Sequence, residues 1–150
     1  MIREATLEDL DAIVRMGGRF YESTSYSKWS PFCPASAREL VEMLVETGVV
    51  LIAERRGQPV GMAGLVVSPF MFNHDVLGAY EVFWWIEPEE RGGIVAWSLL
   101  KAVEPACRRR GCSMVQMTAL HDSPPQAAEM YRRAGYSHTE TSFTKIIGGQ

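Results

Sequence analysis

Apolar residues along the chain switch between helical and strand spacing, and the switches divide it into elements. Residues 2–4 read as a short strand. Thr6-Leu-Glu-Asp9 has the form of a capping box, in which side chains satisfy the open N–H groups of a helix start. Leu10, Ile13 and Val14 then share one helical face, which Gly17-Gly18 is expected to interrupt. A second start lies at Ser36-Ala-Arg-Glu39, followed by Leu40, Val41 and Leu44, with Gly48 placed to end the helix. Between these helices, residues 21–34 are rich in aromatic side chains and proline and read as a loop or broken helix.

The middle of the chain is β. Residues 49–54 form an apolar strand, 55–59 a turn, and 60–67 a second strand. Residues 68–77 read as a loop, and 79–86 as a strand dominated by bulky aromatics. A helix follows over 93–110, its buried face carried by Ile94, Trp97, Leu100, Val103 and Cys107. Residues 113–120 alternate as a strand. Ser123-Pro-Pro-Gln126 resembles another capping box and opens a helix that Gly135 ends, and 136–147 read as a closing pair of strands. The order predicts a single domain, 1–150, of mixed α/β (α+β) class. Strand 79–86, helix 93–110 and strand 113–120 make a crossover, so those two strands are expected to be parallel within a mostly antiparallel sheet flanked by about four helices.

Composition narrows the function classes. The chain of 150 residues is 47% hydrophobic and 22% charged, with a net charge of -3. No global basic field is present to hold a polyanion, which argues against nucleic acid; Arg108–Arg110 is only a local cluster. The first ten residues carry no apolar signal core, and no run reaches the ~20 apolar residues that a membrane span needs. Cys33, Cys107 and Cys112 are odd in number and lack CxxC spacing, so they read as reduced, buried thiols. A cytoplasmic protein is the expectation.

Two segments carry chemistry. FWWIEPEERGGIVAWSLL, from Phe83 to Leu100, and AAEMYRRAGY, from Ala127 to Tyr136, resemble the acetyl-CoA motifs of the GNAT acetyltransferase superfamily. Ile86, Pro88, Arg91, Gly92, Ala96, Leu99 and Leu100 fit the first motif, and Ala127, Tyr131 and Gly135 fit the second. With the order of elements, the resemblance covers essentially the whole chain. It implies a GNAT fold with the parallel strands splayed apart, and acetyl-CoA as co-substrate with no metal required.

The physical reasons for such residues are plain. A turn of outward N–H groups at a helix start, here Gly92, Gly93, Ile94, Val95 and Ala96, suits a pyrophosphate, and Arg91 adds a cation with several donors. The main chain of Trp85 and Ile86 would pair with the pantetheine amides as an added strand does. The resemblance makes Tyr131 the general acid for the departing thiolate and Glu81 the general base for an ammonium acceptor. The aromatic neighbours of Glu81 are expected to raise its pKa. The acceptor would be a small-molecule or peptide amine; a homodimer is left open.

Two positions depart from the motif: Ile94 replaces its first glycine, and Pro124 stands where relatives carry a cofactor-contacting asparagine. They leave room for a module that binds acyl-CoA without transferring it. A hydrolase built on Ser123, His121 and a distant acid is a third reading. Glu87 and Glu90 read as solvated loop charges, and Tyr26, Trp29, Phe32, Phe70 and Phe72 as candidate aromatic walls of an acceptor site.

Overall fold

A computed structural model describes residues 1–148. Its strands are β1 (Ile2–Glu4), β2 (Val49–Arg55), β3 (Gln58–Phe70), β4 (Asn73–Ile86) and β5 (Cys112–Gln116). They form one sheet in sequence order. Neighbours are antiparallel except β4 and β5, which run parallel as the crossover requires. The helices are α1 (Leu10–Glu22), α2 (Pro34–Thr47), α3 (Ile94–Arg109) and α4 (Pro125–Arg133). Among the described residues, none is long and apolar enough to cross a membrane.

The middle strands β2, β3 and β4 bury both faces, so the sheet has a core on either side. Val49, Leu51, Leu65 and Ala79 pack against Leu99 and Val103 of α3. Val50, Ile52, Met62, Phe83 and Trp85 pack against Leu10 and Ile13 of α1 and Val41 and Leu44 of α2. The inward alternation on β4 breaks at Val82: Leu65 pairs with Glu81 while the preceding Gly64 pairs with Phe83. This bulge changes the parity of the strand. Before it, odd residues such as Ala79 face α3; after it, Phe83 and Trp85 face α1 and α2, and Trp84 and Ile86 face α3.

Several boundaries differ from the sequence reading. Residues 68–77 are not a loop; β3 and β4 extend through them as a hairpin, and main-chain pairing overrides the low strand propensity of Pro69 and the polar residues 73–75. Strand 113–120 ends at Gln116, where its pairing with β4 stops. The closing strands expected at 136–147 do not form; those residues carry no regular structure. Helix α1 runs through Gly17-Gly18 instead of breaking, and the missing side chains let the Phe32 ring lie against it.

The caps vary in the same way. The Thr6–Asp9 box is present, with Asp9 accepting the Thr6 N–H at 2.8 Å and itself held by Arg3. Helix α2 instead starts at Pro34 with Cys33 as N-cap, and Ser36 donates to Cys33 Sγ at 3.2 Å. Cys33 is thus exposed, not buried; Cys107 and Cys112 are buried, and burial pushes the Cys107 thiol up to about 12. Helix α4 has Pro124 as N-cap without a side-chain cap, since Ser123 Oγ accepts from the Leu120 N–H at 3.0 Å.

Gly48 closes α2 with an ordinary negative φ of -116°. What demands glycine is space: a Cβ there would lie 2.3 Å from the Leu65 carbonyl oxygen. Gly48→Ala should therefore cost about 1–3 kcal/mol of stability, the scale of overpacking. A Cβ on Gly17 would meet nothing nearer than Phe32 at 3.9 Å, so Gly17→Ala should add about 0.5–1 kcal/mol by removing helix-interior glycine. Denaturant midpoints of the two variants should shift in opposite directions; equal shifts would contradict the steric assignment.

Candidate active site

Parallel pairing between β4 and β5 covers only Leu77–Tyr80 and Cys112–Gln116. Past that point the strands part, and the β4 edge from Glu81 to Ile86 borders a cleft of about 780 Å³. Its walls come from β4, the start of α3, the loop after β5, α4, Phe20 of α1 and Ser23 just past the end of that helix. Glu81, Tyr131, Trp85, Ile86, Arg91, Gly92, Gly93 and Ala96, distant in sequence, all line it. Ile94 and Val95 do not; Ile94 opens α3 with its side chain 75% exposed.

Glu81 and Tyr131 meet through one residue, Thr118. The Thr118 N–H donates to Glu81 Oε2 at 2.9 Å, and Tyr131 Oη donates to the Thr118 carbonyl at 2.9 Å. In a continuing ladder that N–H would have bonded a β4 carbonyl; here a β4 carboxylate takes it. Burial raises the Glu81 pKa to about 7, against the opposing effect of the Thr118 hydrogen bonds. Burial also pushes the Tyr131 phenol well above its ordinary value, with the Glu81 charge adding to the rise. Tyr131 is 7% exposed and stacks at a tilt on Trp84, centroids 5.4 Å apart.

At the other end, the loop between β4 and α3 turns through Gly92 at φ +80°, a left-handed position that suits glycine. No neighbour lies within 4 Å of where a Gly92 Cβ would stand. Gly93 is the α3 N-cap, without a side-chain cap, so the first N–H groups of the helix lack an intrahelical partner. Arg91 is folded onto β4: its Nε donates to the Ile86 carbonyl at 2.9 Å, and its guanidinium lies 4.4 Å from the Trp85 ring centroid. Its Nη groups make no hydrogen bond among the described residues. Arg133 of α4, 5.3 Å from the Trp97 ring, is a second cation at this end.

Three expectations are corrected. Glu87 is not a solvated charge: it is 6% exposed and held by Arg19 of α1 through two hydrogen bonds. Glu90 pairs with Arg55. The aromatic walls of the cleft are Phe20, Trp84, Trp85 and Trp97, whereas Tyr26, Trp29, Phe32, Phe70 and Phe72 lie outside its lining, Phe72 almost wholly exposed. Ser123 Oγ makes no bond to His121, which is exposed and outside the cleft lining, so the hydrolase arrangement is not assembled. Thr118, Trp84 and Arg133 escaped the sequence reading. Thr118 acts through its main chain in a loop, which leaves no residue-type signal. The Phe83-Trp84-Trp85 run was the available sign for Trp84, but which tryptophan shares a face with Glu81 depends on the bulge.

The mixed sheet opens between its two parallel strands, and the start of α3 lies at the mouth of that opening. The chain belongs to the acetyltransferase (GNAT) family, whose profile matches residues 18–136. No curated protein matches it significantly in sequence. Among solved structures it resembles a ribosomal-protein-alanine N-acetyltransferase from Brucella melitensis biovar Abortus, at 14% identity and TM-score 0.73, covering 98% of this chain and 99% of that one. A predicted acetyltransferase from Clostridium acetobutylicum, solved with acetyl-CoA, superposes at TM-score 0.75 and 17% identity, with 97% and 95% covered. An aminoglycoside acetyltransferase from an uncultured soil metagenomic sample, in complex with trehalose, gives 0.73 and 17%, with 100% and 96% covered. At these identities the likeness is one of fold.

The raised pKa of Glu81 has a consequence for stability. The folded chain keeps a proton there that the unfolded chain, titrating near 4.5, has released. This contribution to stability is full below about 4.5 and is lost as pH rises through about 7. Glu81→Gln fixes the neutral form, so its melting temperature relative to wild type should be higher at about pH 8 than at about pH 5. A difference independent of pH would show that the folded protein bears the ionised carboxylate without penalty.

Proposed function

We propose that the chain transfers the acetyl group of acetyl-CoA to an amine of a small molecule or peptide, by direct attack with both substrates bound. The observation that carries this reading is the shared anchoring of Glu81 and Tyr131 on Thr118, inside the cleft opened by β4 and β5. A desolvated carboxylate and a buried phenol in one cleft form an acid–base pair with distinct protonation states.

The residues present suit the acyl donor. The β4 edge at Trp85 and Ile86 has no β5 partner and can take an extended arm by main-chain pairing. Gly92 and the open N–H groups at the start of α3 suit a pyrophosphate, with Arg91 and Arg133 as nearby cations. When bound, the donor supplies a thioester carbonyl open to attack by nitrogen.

Glu81, with its pKa near 7, is about half ionised at neutral pH and takes the proton of an ammonium acceptor. Tyr131 stays protonated and gives its proton to the departing sulfur. Its own pKa is held up partly by the Glu81 charge, so proton uptake by Glu81 makes Tyr131 a better donor when it is needed. Main-chain N–H groups near Ile86 polarise the carbonyl.

Tyr131→Phe should lower turnover by ~10²-fold with donor affinity little altered. The acidic limb of kcat/KM with a basic amine should fall near pH 7, and Glu81→Gln should remove that limb, with partial recovery as pH rises and free amine accumulates. A weakly basic arylamine, already unprotonated, should be much less affected by Glu81→Gln. Arg91→Ala should reduce the rise in melting temperature that acetyl-CoA produces. Tyr131→Phe turnover within about twofold of wild type would reduce Tyr131 to a packing residue.

A further inference from the structure

Two side-chain polar atoms are buried without a hydrogen-bond partner among the described residues, and both are indole nitrogens of β4: Trp84 Nε1 and Trp85 Nε1. Buried donors almost always find acceptors, so an orphaned pair lining a cleft calls for an acceptor that arrives from outside the chain. The two indoles are not equivalent. Trp85 faces α1, its ring beside Phe20 and under the Arg91 guanidinium. Trp84 faces α3, and the bulge at Val82 is what brings it to the same side as Glu81: their β3 partners, Ala63 and Leu65, both belong to the core under α3. Its ring also packs on Tyr131. Trp84 therefore presents the one orphaned indole N–H on the face that carries both proton-transfer groups.

This inference rests on the acetyl-transfer reading. In that reaction the attacked carbon has three partners to satisfy: the incoming nitrogen at Glu81, the departing sulfur at Tyr131, and the carbonyl oxygen. We propose that Trp84 Nε1–H donates a hydrogen bond to that oxygen, adding a side-chain donor to the main-chain N–H groups near Ile86. Glu81 first takes one proton from the ammonium. As the C–N bond forms, the C=O π pair moves onto oxygen, where the indole N–H stabilises it. The pair returns as the C–S bond breaks; Tyr131 protonates sulfur, and the second nitrogen proton replaces the one Tyr131 gave. An uncharged N–H suits this work, because it strengthens as the oxygen gains charge and does not titrate.

The test compares donor and product in the absence of any acceptor. CoA lacks the carbonyl, so Trp84→Phe should weaken acetyl-CoA roughly 3–10-fold by calorimetry and leave CoA within about twofold. Equal weakening of both ligands would make Trp84 a packing residue and overturn the proposal, as would no change in either. The wild-type protein supplies an independent readout should the variant fold poorly. Of its four indole N–H resonances, the one in through-space contact with the Tyr131 ring should move downfield with acetyl-CoA and not with CoA. A shift common to both ligands would overturn the assignment. If neither ligand binds, the proposal falls together with the acetyl-transfer reading, an outcome distinct from loss of the Trp84 contact alone.

Discussion

The parting of β4 and β5 is the constraint on which the site depends. A parallel pair that stayed in register would bond Thr118 to the β4 main chain and leave no room between the strands. Here pairing stops at Tyr80 and Gln116, and the Trp84 and Tyr131 rings, packed on each other, line the opening. Thr118 then satisfies its N–H with a side-chain carboxylate and its carbonyl with a phenol. One residue near the break in the sheet, through its two flanking peptide units, thus sets the positions of two ionisable groups that lie fifty residues apart in sequence. Burial in the opening, rather than any nearby charge, is the main reason both pKa values rise.

The opening is supported on both faces. On one side α3 packs across β2, β3 and β5 and presents its N-terminus to the cleft. On the other, α1 reaches the end of β4 through the Arg19–Glu87 pair and the Phe20–Trp85 contact. Only the Glu87 end of this pair is buried, Arg19 staying about half exposed, so the contact ties α1 to the loop that follows β4 at one buried carboxylate. Trp85 joins the same two regions, since Arg91 lies over the ring that Phe20 touches.

Much of this was legible in the residues. Strand and helix periods located the central elements, the crossover implied the parallel pair, and the motif from Phe83 to Leu100 picked out the loop that opens α3. What escaped has physical reasons. The bulge at Val82 inserts one residue and reverses the face of everything after it, which alternation cannot reveal because Phe83, Trp84 and Trp85 are apolar in either register. Residues 68–77 include Pro69 and the polar run 73–75, which are weak strand formers, and they become strand on either side of the turn at 71–72 because β3 and β4 pair there. Thr118 works through its backbone. The alternating tail at 136–147 looks like strand, yet it makes no ladder with the β5 edge.

The proposed acetyl transfer is direct, between two bound substrates, and passes through no acetylated enzyme. The most direct measurement mixes the protein with acetyl-CoA and a panel of primary amines, follows thiol release, and weighs both the amines and the intact protein by mass spectrometry. One acetylated amine is expected for each thiol released, with release that depends on the amine and a protein whose mass stays unchanged. Thiol release without an amine, or release accompanied by a stably acetylated protein as the competent intermediate, would contradict it.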